Sequence, residues 1–263
     1  MGAGERRIAR PVDAAGLVLI RRGVDGPEVL LGRRHRRAGF LPDIYVVPGG
    51  RVDRDDAAGS GFAEDLHPNA IAQLKTGSRG RPPLAFARAA IRETYEETGL
   101  LLTTGGNGAA TPAVGAVWQA FGARACRPGF DALDFVCRAI TPTYSKRRYN
   151  TRFFLADGAQ TIGELAGNGE LEDLNWRPLA DLPRLAIVDV TEFVLTEALR
   201  RWQRRVPIGS EPARLFCYRG DCARWRVVGR SPWHPPPLRV FGTAGRQVLD
   251  TPRSIGDNYL FRK

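Results

Sequence analysis

The chain has 263 residues, 43% hydrophobic and 25% charged, a globular composition long enough for one large domain or one domain with additions. Its 39 basic residues against 28 acidic ones leave a net charge of +11, which favours an anionic partner such as a phosphorylated small molecule, nucleic acid or an acidic surface. No apolar run approaches the roughly 18–20 residues that span a bilayer, no apolar stretch of a secretory signal follows the basic start, and four cysteines cannot build a disulfide scaffold, so no membrane role and a cytoplasmic setting are expected.

Residues 1–10 are basic and expected to fray, and the main domain is read as 11–205. Apolar patterning predicts strands over 12–22 and 28–34, joined by the turn-rich Gly23-Val24-Asp25-Gly26-Pro27. A third apolar stretch, Ile44-Tyr45-Val46-Val47, is stopped by Pro48-Gly49-Gly50. Residues 51–82 read as polar and irregular, with a short helix near 70–74. Pro82-Pro83 opens a helix that runs to Thr98, and Gly99 occupies the position of a C-terminal glycine cap. A strand follows at 100–103, then a glycine-rich loop around Gly105, Gly106 and Gly108. Further strands are predicted at 134–140, 151–156 and 174–177, and a second amphipathic helix at 187–201. Residues 206–263 form an accessory β-rich extension, with strand-like runs at 214–218, 224–228 and 238–241 between prolines. The order of elements implies an α+β or sandwich arrangement.

The informative segment is Arg92-Glu93-Thr94-Tyr95-Glu96-Glu97-Thr98-Gly99-Leu100. Glu93, Glu96 and Glu97 stand at i, i+3 and i+4, so they share one helix face with Cβ atoms about 5–6 Å apart. Like charges so placed repel unless a cation lies between them, and hard carboxylate oxygens suit Mg²⁺ or Mn²⁺. Arg92, four residues before Glu96, can hold a carboxylate in place by a charge-assisted hydrogen bond. Three glutamates alone fit a solvated acidic helix face better than a cation site. The flanking glycines and the otherwise basic chain favour the cation site.

These residues resemble the helical half of the Nudix box, G-x5-E-x7-R-E-U-x-E-E-x-G-U, with U a bulky apolar residue. Pro48-Gly49-Gly50 is similar to the start of its loop, and Thr94 stands where an aliphatic residue is usual. The box is interrupted: six residues past Gly50 comes Asp56 rather than Glu, and Arg92 follows it by 36 positions instead of 8, so about 28 residues are inserted. Asp53, Asp55 or Asp56 could replace the loop carboxylate. The interruption, Arg36-Arg37-Ala38-Gly39-Phe40 and Asn150-Thr151-Arg152-Phe153-Phe154-Leu155 resemble the branch that includes peroxisomal coenzyme A diphosphatases.

The resemblance spans about residues 12–203. It implies an α/β/α sandwich with a mixed sheet and a Mg²⁺- or Mn²⁺-dependent diphosphatase of coenzyme A or its acyl thioesters, yielding 3′,5′-ADP and (acyl-)phosphopantetheine. It implies that Glu93, Glu96 and Glu97 hold the metal. Glu93, Glu97 and Arg92 would serve catalysis together with Glu170, which precedes a tryptophan-bearing strand; Glu172 and Asp173 are alternates. An acidic turn is the other reading of that loop. Substrate contacts are expected from Gly49, Gly50 and Arg152 and from the basic run 33–37, notably Arg33 and Arg36, although arginines in such runs also occur as solvated charges. The run Lys146-Arg147-Arg148 is a further phosphate candidate. ADP-ribose, NADH, dinucleoside polyphosphates, isoprenoid diphosphates and capped RNA are alternative substrates, nucleic acid being less favoured. A nucleotide sensor of weak turnover is the non-enzymatic alternative. A homodimer is compatible with the resemblance. Cys217 and Cys222 lack a second ligand pair for zinc.

Overall fold

The computed structural model describes residues 8–105, 115–220, 222–230 and 232–235. The expected strand at 238–241 and the first seven residues of the N-terminus, which was expected to fray, lie outside the described residues.

Strands β1 (Val12–Gly23) and β2 (Gly26–Arg34) form the expected hairpin, followed by β3 (Tyr45–Val46) and β4 (Gly49–Arg51). Helix α1 (Pro68–Leu74) lies within the insert and precedes α2 (Pro83–Thr98), which Gly99 closes in the left-handed conformation, φ 75°. Its N–H caps the Tyr95 carbonyl, and an added Cβ would lie 2.6 Å from the Glu164 carbonyl oxygen. Then come β5 (Leu101–Leu102), α3 (Ala116–Ala123), β6 (Asp134–Ile140), β7 (Tyr149–Asp157), β8 (Thr161–Ile162), β9 (Leu171–Pro178), α4 (Asp189–Gln203), β10 (Arg214–Arg219) and β11 (Cys222–Val227). Helix α3 is absent from the sequence reading. Its buried Val117, Trp118 and Phe121 carry a helical pattern over only two turns, behind a glycine-rich approach.

The main sheet runs β11-β10-β6-β7-β1-β2-β3, with β4 also pairing β1 and β9 pairing β2. It is mixed: β1 is parallel to β7 but antiparallel to β2 and β4, and β10 is parallel to β6. Alternation along β1 sends Ala15, Leu17 and Leu19 into a core with Phe86, Ala90 and Ile91 of α2, and Val18 and Ile20 into a second core with Phe193, Val194 and Ala198 of α4. Helices thus cover both faces, the sandwich expected of an α+β chain. Strands β10 and β11 extend this same sheet. The buried Arg201 of α4 fastens their approach, donating to Asp134 Oδ2 and to the Pro212 carbonyl, each at 2.9 Å.

The insert is bound to the domain. Arg88 of α2 donates to the Asp56 carbonyl at 2.6 Å and grips the Glu64 carboxylate through Nε and Nη2. Burial alone would raise the Glu64 carboxyl, but these bonds and the Arg88 charge hold it below its ordinary value. Among the described residues, no helix is long and apolar enough to cross a membrane.

Candidate active site

Helix α2 presents Arg92, Glu93, Glu96 and Glu97 to a cavity of about 420 Å³. The turn at Pro48-Gly49-Gly50 brings bare backbone against them. A Cβ on Gly50 would sit 2.4 Å from the Glu93 carboxylate oxygens, and one on Gly49 would sit 2.4 Å from the Ala15 carbonyl oxygen. The Gly49 N–H donates to Glu97 Oε2 at 2.8 Å. Glycine is therefore required here for close approach, and the two glycines line the cavity with the carboxylates.

Arg92 organises the cluster. Its Nε and Nη2 hold both oxygens of the buried Asp56 at 3.0 and 2.9 Å, its Nη1 donates to Glu93 and Glu96 at 2.9 Å each, and Nη2 also reaches the Arg51 carbonyl. Although burial opposes ionisation, these carboxylates push the guanidinium pKa upward, so it stays charged. Asp56 also accepts from the Asp53 N–H at 2.8 Å. Of the three aspartates weighed for the loop carboxylate, Asp56 is thus the one that Arg92 holds by hydrogen bonds, 36 residues away in sequence. Asp53 lines the cavity, 3.9 Å from Arg92 Nη2.

Burial pushes Glu97 up to about 8 against the Gly49 N–H, and repulsion from Glu93 and Glu170 adds to the shift. Burial likewise takes Glu93 to about 7 against the pull of Arg92, with Glu96 and Asp53 raising it further. Crowded, desolvated carboxylates of this kind gain from a divalent cation. Among the described residues no three acidic side chains already converge as a finished metal site. The donor chemistry nevertheless fits Mg²⁺ or Mn²⁺: hard oxygens from Glu93, Glu96 and Glu97 on one helix, with Glu170 on the same cavity wall.

The loop before β9 discriminates among the acidic candidates. Glu170 lines the cavity and acts electrostatically on Glu97. Glu172 instead pairs with Arg33 at 3.0 Å, and Asp173 pairs with Arg177 and accepts from the Tyr45 hydroxyl.

Three expected substrate contacts are placed elsewhere. Arg152 is 0% exposed: it pairs with Asp13 at 2.8 Å, donates to the Asn150 and Gly77 carbonyls, and stacks on Phe86 at 4.0 Å from the ring centroid. Period two sent it to the α2 face, inside the core, and it cannot clamp a substrate phosphate there. Arg33 is engaged by Glu172 and by Asp43, and exposed Arg36 does not line the cavity. Their neighbour Arg34 lines it instead, with its charge felt by Glu97 and no hydrogen-bond partner for its buried Nε. Basicity in the 33–37 run was visible in sequence, but the face each arginine takes was not. Thr94, unusual for the box, is fully buried and satisfies its hydroxyl on the Ala90 carbonyl at 2.7 Å, which lets it pack where an aliphatic chain would.

No family model matches the chain. Among solved structures, the fold is similar to a NUDIX hydrolase from Alicyclobacillus acidocaldarius, at 30% identity over 74% of this chain and 93% of that one, with a TM-score of 0.55. A MutT NUDIX hydrolase from Burkholderia pseudomallei is 20% identical over 72% of this chain and 98% of its own, with a TM-score of 0.41. On the similarity to the Alicyclobacillus acidocaldarius enzyme, and with the carboxylate helix in view, the chain belongs to the Nudix hydrolase family. Among curated proteins it is similar to acyl-coenzyme A diphosphatase NUDT19 of Xenopus laevis, 32% identical over a 95-residue alignment that covers 28% of this chain. The match spans about a quarter of that relative, 25% of its length.

Proposed function

We propose that this protein is a Mg²⁺- or Mn²⁺-dependent hydrolase of the diphosphate linkage in nucleoside diphosphate derivatives. Coenzyme A or acyl-coenzyme A, cut to 3′,5′-ADP and (acyl-)phosphopantetheine, is the favoured substrate. The observation that carries this reading is one cavity in which Glu93, Glu96, Glu97 and Glu170 face Arg34 and Arg51. Acidic residues alone would repel a diphosphate, and arginines alone would bind it without activating water. The partial similarity to an acyl-coenzyme A diphosphatase and the interrupted box support the choice of substrate.

Glu93, Glu96 and Glu97 would hold the metal. When bound, it supplies charge stabilisation at phosphoryl oxygens and an acidified water. Arg92 fixes Glu93 and Glu96, and the Gly49 N–H fixes Glu97, so the carboxylates are oriented before substrate arrives. Arg34 and Arg51 bind the phosphates. Glu170 or Glu93 takes the proton of the attacking water, and one P–O bond forms as the bridging P–O bond breaks.

Product analysis with Mg²⁺ or Mn²⁺ on coenzyme A, acetyl-coenzyme A, ADP-ribose, NADH, a dinucleoside polyphosphate and a capped RNA tests the reading. The coenzyme A species should be cleaved best, and Glu97→Gln should lower the rate by about 10²-fold or more. Nucleotide binding without cleavage would instead favour the sensor, and cleavage indifferent to Glu97→Gln would dismiss this site.

A further inference from the structure

The floor of the cavity crosses the sheet. It starts at the β4 turn and the α2 carboxylates, passes Gly16 of β1 and Phe153 of β7, which are register partners, then Ile140 at the end of β6, and ends at Tyr218 of β10. From β1 to β10 there are three strand spacings, about 14 Å. Its character changes along the way. The charged lining residues come from β2, β4, the loop after it, α2 and the loop before β9. The stretch supplied by β6, β7, α4 and β10 has no charged, Asn or Gln side chain in its lining.

We infer that β10 makes the C-terminal extension part of the substrate site: Tyr218, with Phe40, Ile140, Tyr149, Phe153 and Val190, forms a receptor for a weakly polar, apolar arm carried on one phosphate of the diphosphate. The inference rests on the diphosphatase reading for the orientation of the ligand. A cavity of this volume takes a ligand of drug size rather than a bare diphosphate. Among the described residues its far end carries no amide or charged side chain, and its polar side-chain groups are the hydroxyls of Thr141, Tyr149, Thr151, Thr191 and Tyr218, the last engaged by Asp189. It offers area to a chain or ring buried by contact alone, and such contact is proportional to apolar surface removed from water.

Tyr218 is held ready for this task. Its hydroxyl donates to Asp189 Oδ2 at 2.5 Å, and its ring packs edge-on against Phe216, with centroids 5.4 Å apart and planes at 88°. Asp189 opens α4 and is followed directly by Val190, so this bond ties the extension strand to the helix end that supplies the neighbouring wall. Also in the lining, Phe40 meets Tyr149 edge-on at 5.0 Å. A ring fixed by its own hydrogen bond loses little freedom when an arm binds, which is the advantage of a preorganised wall. The extension is thus a specificity-determining part of the site.

The test uses full-length protein, wild type and Tyr218→Ala, with three substrates that share an ADP half: ADP-ribose, coenzyme A and decanoyl-coenzyme A. Tyr218→Ala should lower kcat/KM for decanoyl-coenzyme A about tenfold more than for ADP-ribose, which corresponds to about 1.4 kcal/mol of selectivity. Tyr218→Phe keeps the ring and should keep most of the preference. An equal loss on all three substrates overturns the inference while leaving the hydrolase intact. Should Tyr218→Ala fail to fold, Phe40→Ala in the same lining carries the same expectation. Calorimetry with non-hydrolysable methylene analogues of the three compounds separates the two readings. If wild type cleaves nothing, the hydrolase reading falls, yet tighter binding of the decanoyl analogue that Tyr218→Ala abolishes still supports the arm site. Equal affinities for the three analogues overturn it.

Discussion

The pairing of Asp56 with Arg92 gives the sharpest quantitative expectation. Asp56 is 3% exposed, and the Arg92 side chain is only 14% exposed. Two charge-assisted hydrogen bonds, at 3.0 and 2.9 Å, join them. At about 1.5–3 kcal/mol per bond to a charged group, their removal would cost about 3–6 kcal/mol if Arg92 were left alone. Glu93, Glu96 and the Arg51 carbonyl remain as partners, so about 3 kcal/mol is expected for Asp56→Ala, at the lower end of what breaking a buried pair costs. For a chain of this size that is a fall in Tm of roughly 6–12 °C. Urea unfolding of Asp56→Ala, Arg92→Met and the double variant isolates the pair, and a coupling of at least about 1.5 kcal/mol is expected. Activity should drop as well, because Arg92 then swings with Glu93 and Glu96. A coupling under about 0.5 kcal/mol would refute the argument that this aspartate closes the interrupted box.

The paired glycines should separate stability from activity. Gly50→Ala meets the end of the Glu93 side chain first, so it should lower turnover by at least about tenfold with little change in Tm, whereas Gly49→Ala meets the Ala15 carbonyl and Gly16 Cα and should destabilise the fold by more than about 1–3 kcal/mol. Turnover and melting of both variants check this, and equal melting temperatures would contradict it. The pH response of metal-free protein follows from Glu93 near 7 and Glu97 near 8, both above the ordinary carboxylate value of about 4.3. The folded state therefore holds more protons than the unfolded one between roughly pH 4 and 8, and the contribution of these groups to stability declines as pH rises through that window. Melting of chelator-treated protein from pH 5.5 to 8.5 should show the decline, and saturating Mg²⁺ should flatten it. A chelated protein that melts higher at pH 8.5 than at pH 5.5 would count against the desolvated cluster.

What the sequence by itself determined is mostly local. Apolar runs bounded by turn residues located the paired strands, with β9 beginning three residues earlier than the run indicated. Prolines at the start and Gly99 at the stop bounded α2, since capping chemistry acts within one turn. The shared face of Glu93, Glu96 and Glu97 follows from helical geometry alone, whereas reading that face as a cation site needed the flanking glycines, the basic chain and the resemblance to the box. Tertiary structure decided what periodicity leaves open. A strand pattern says that Arg33 and Arg34 point to opposite sides, but only the packing of β2 among β1, β3 and β9 selects Arg34 for the cavity. The same ambiguity hid the burial of Arg152, whose charge is tolerated inside because Asp13 and two backbone carbonyls meet it. Asp56 reaches Arg92 because Arg88 and Glu64 fold the insert back onto α2, a contact across tens of residues that no local spacing encodes. Tyr218 joins the site only because β10 pairs in parallel with β6. The energy that sets such pairing lies in surface buried between distant segments, and it exists only once the sheet has formed.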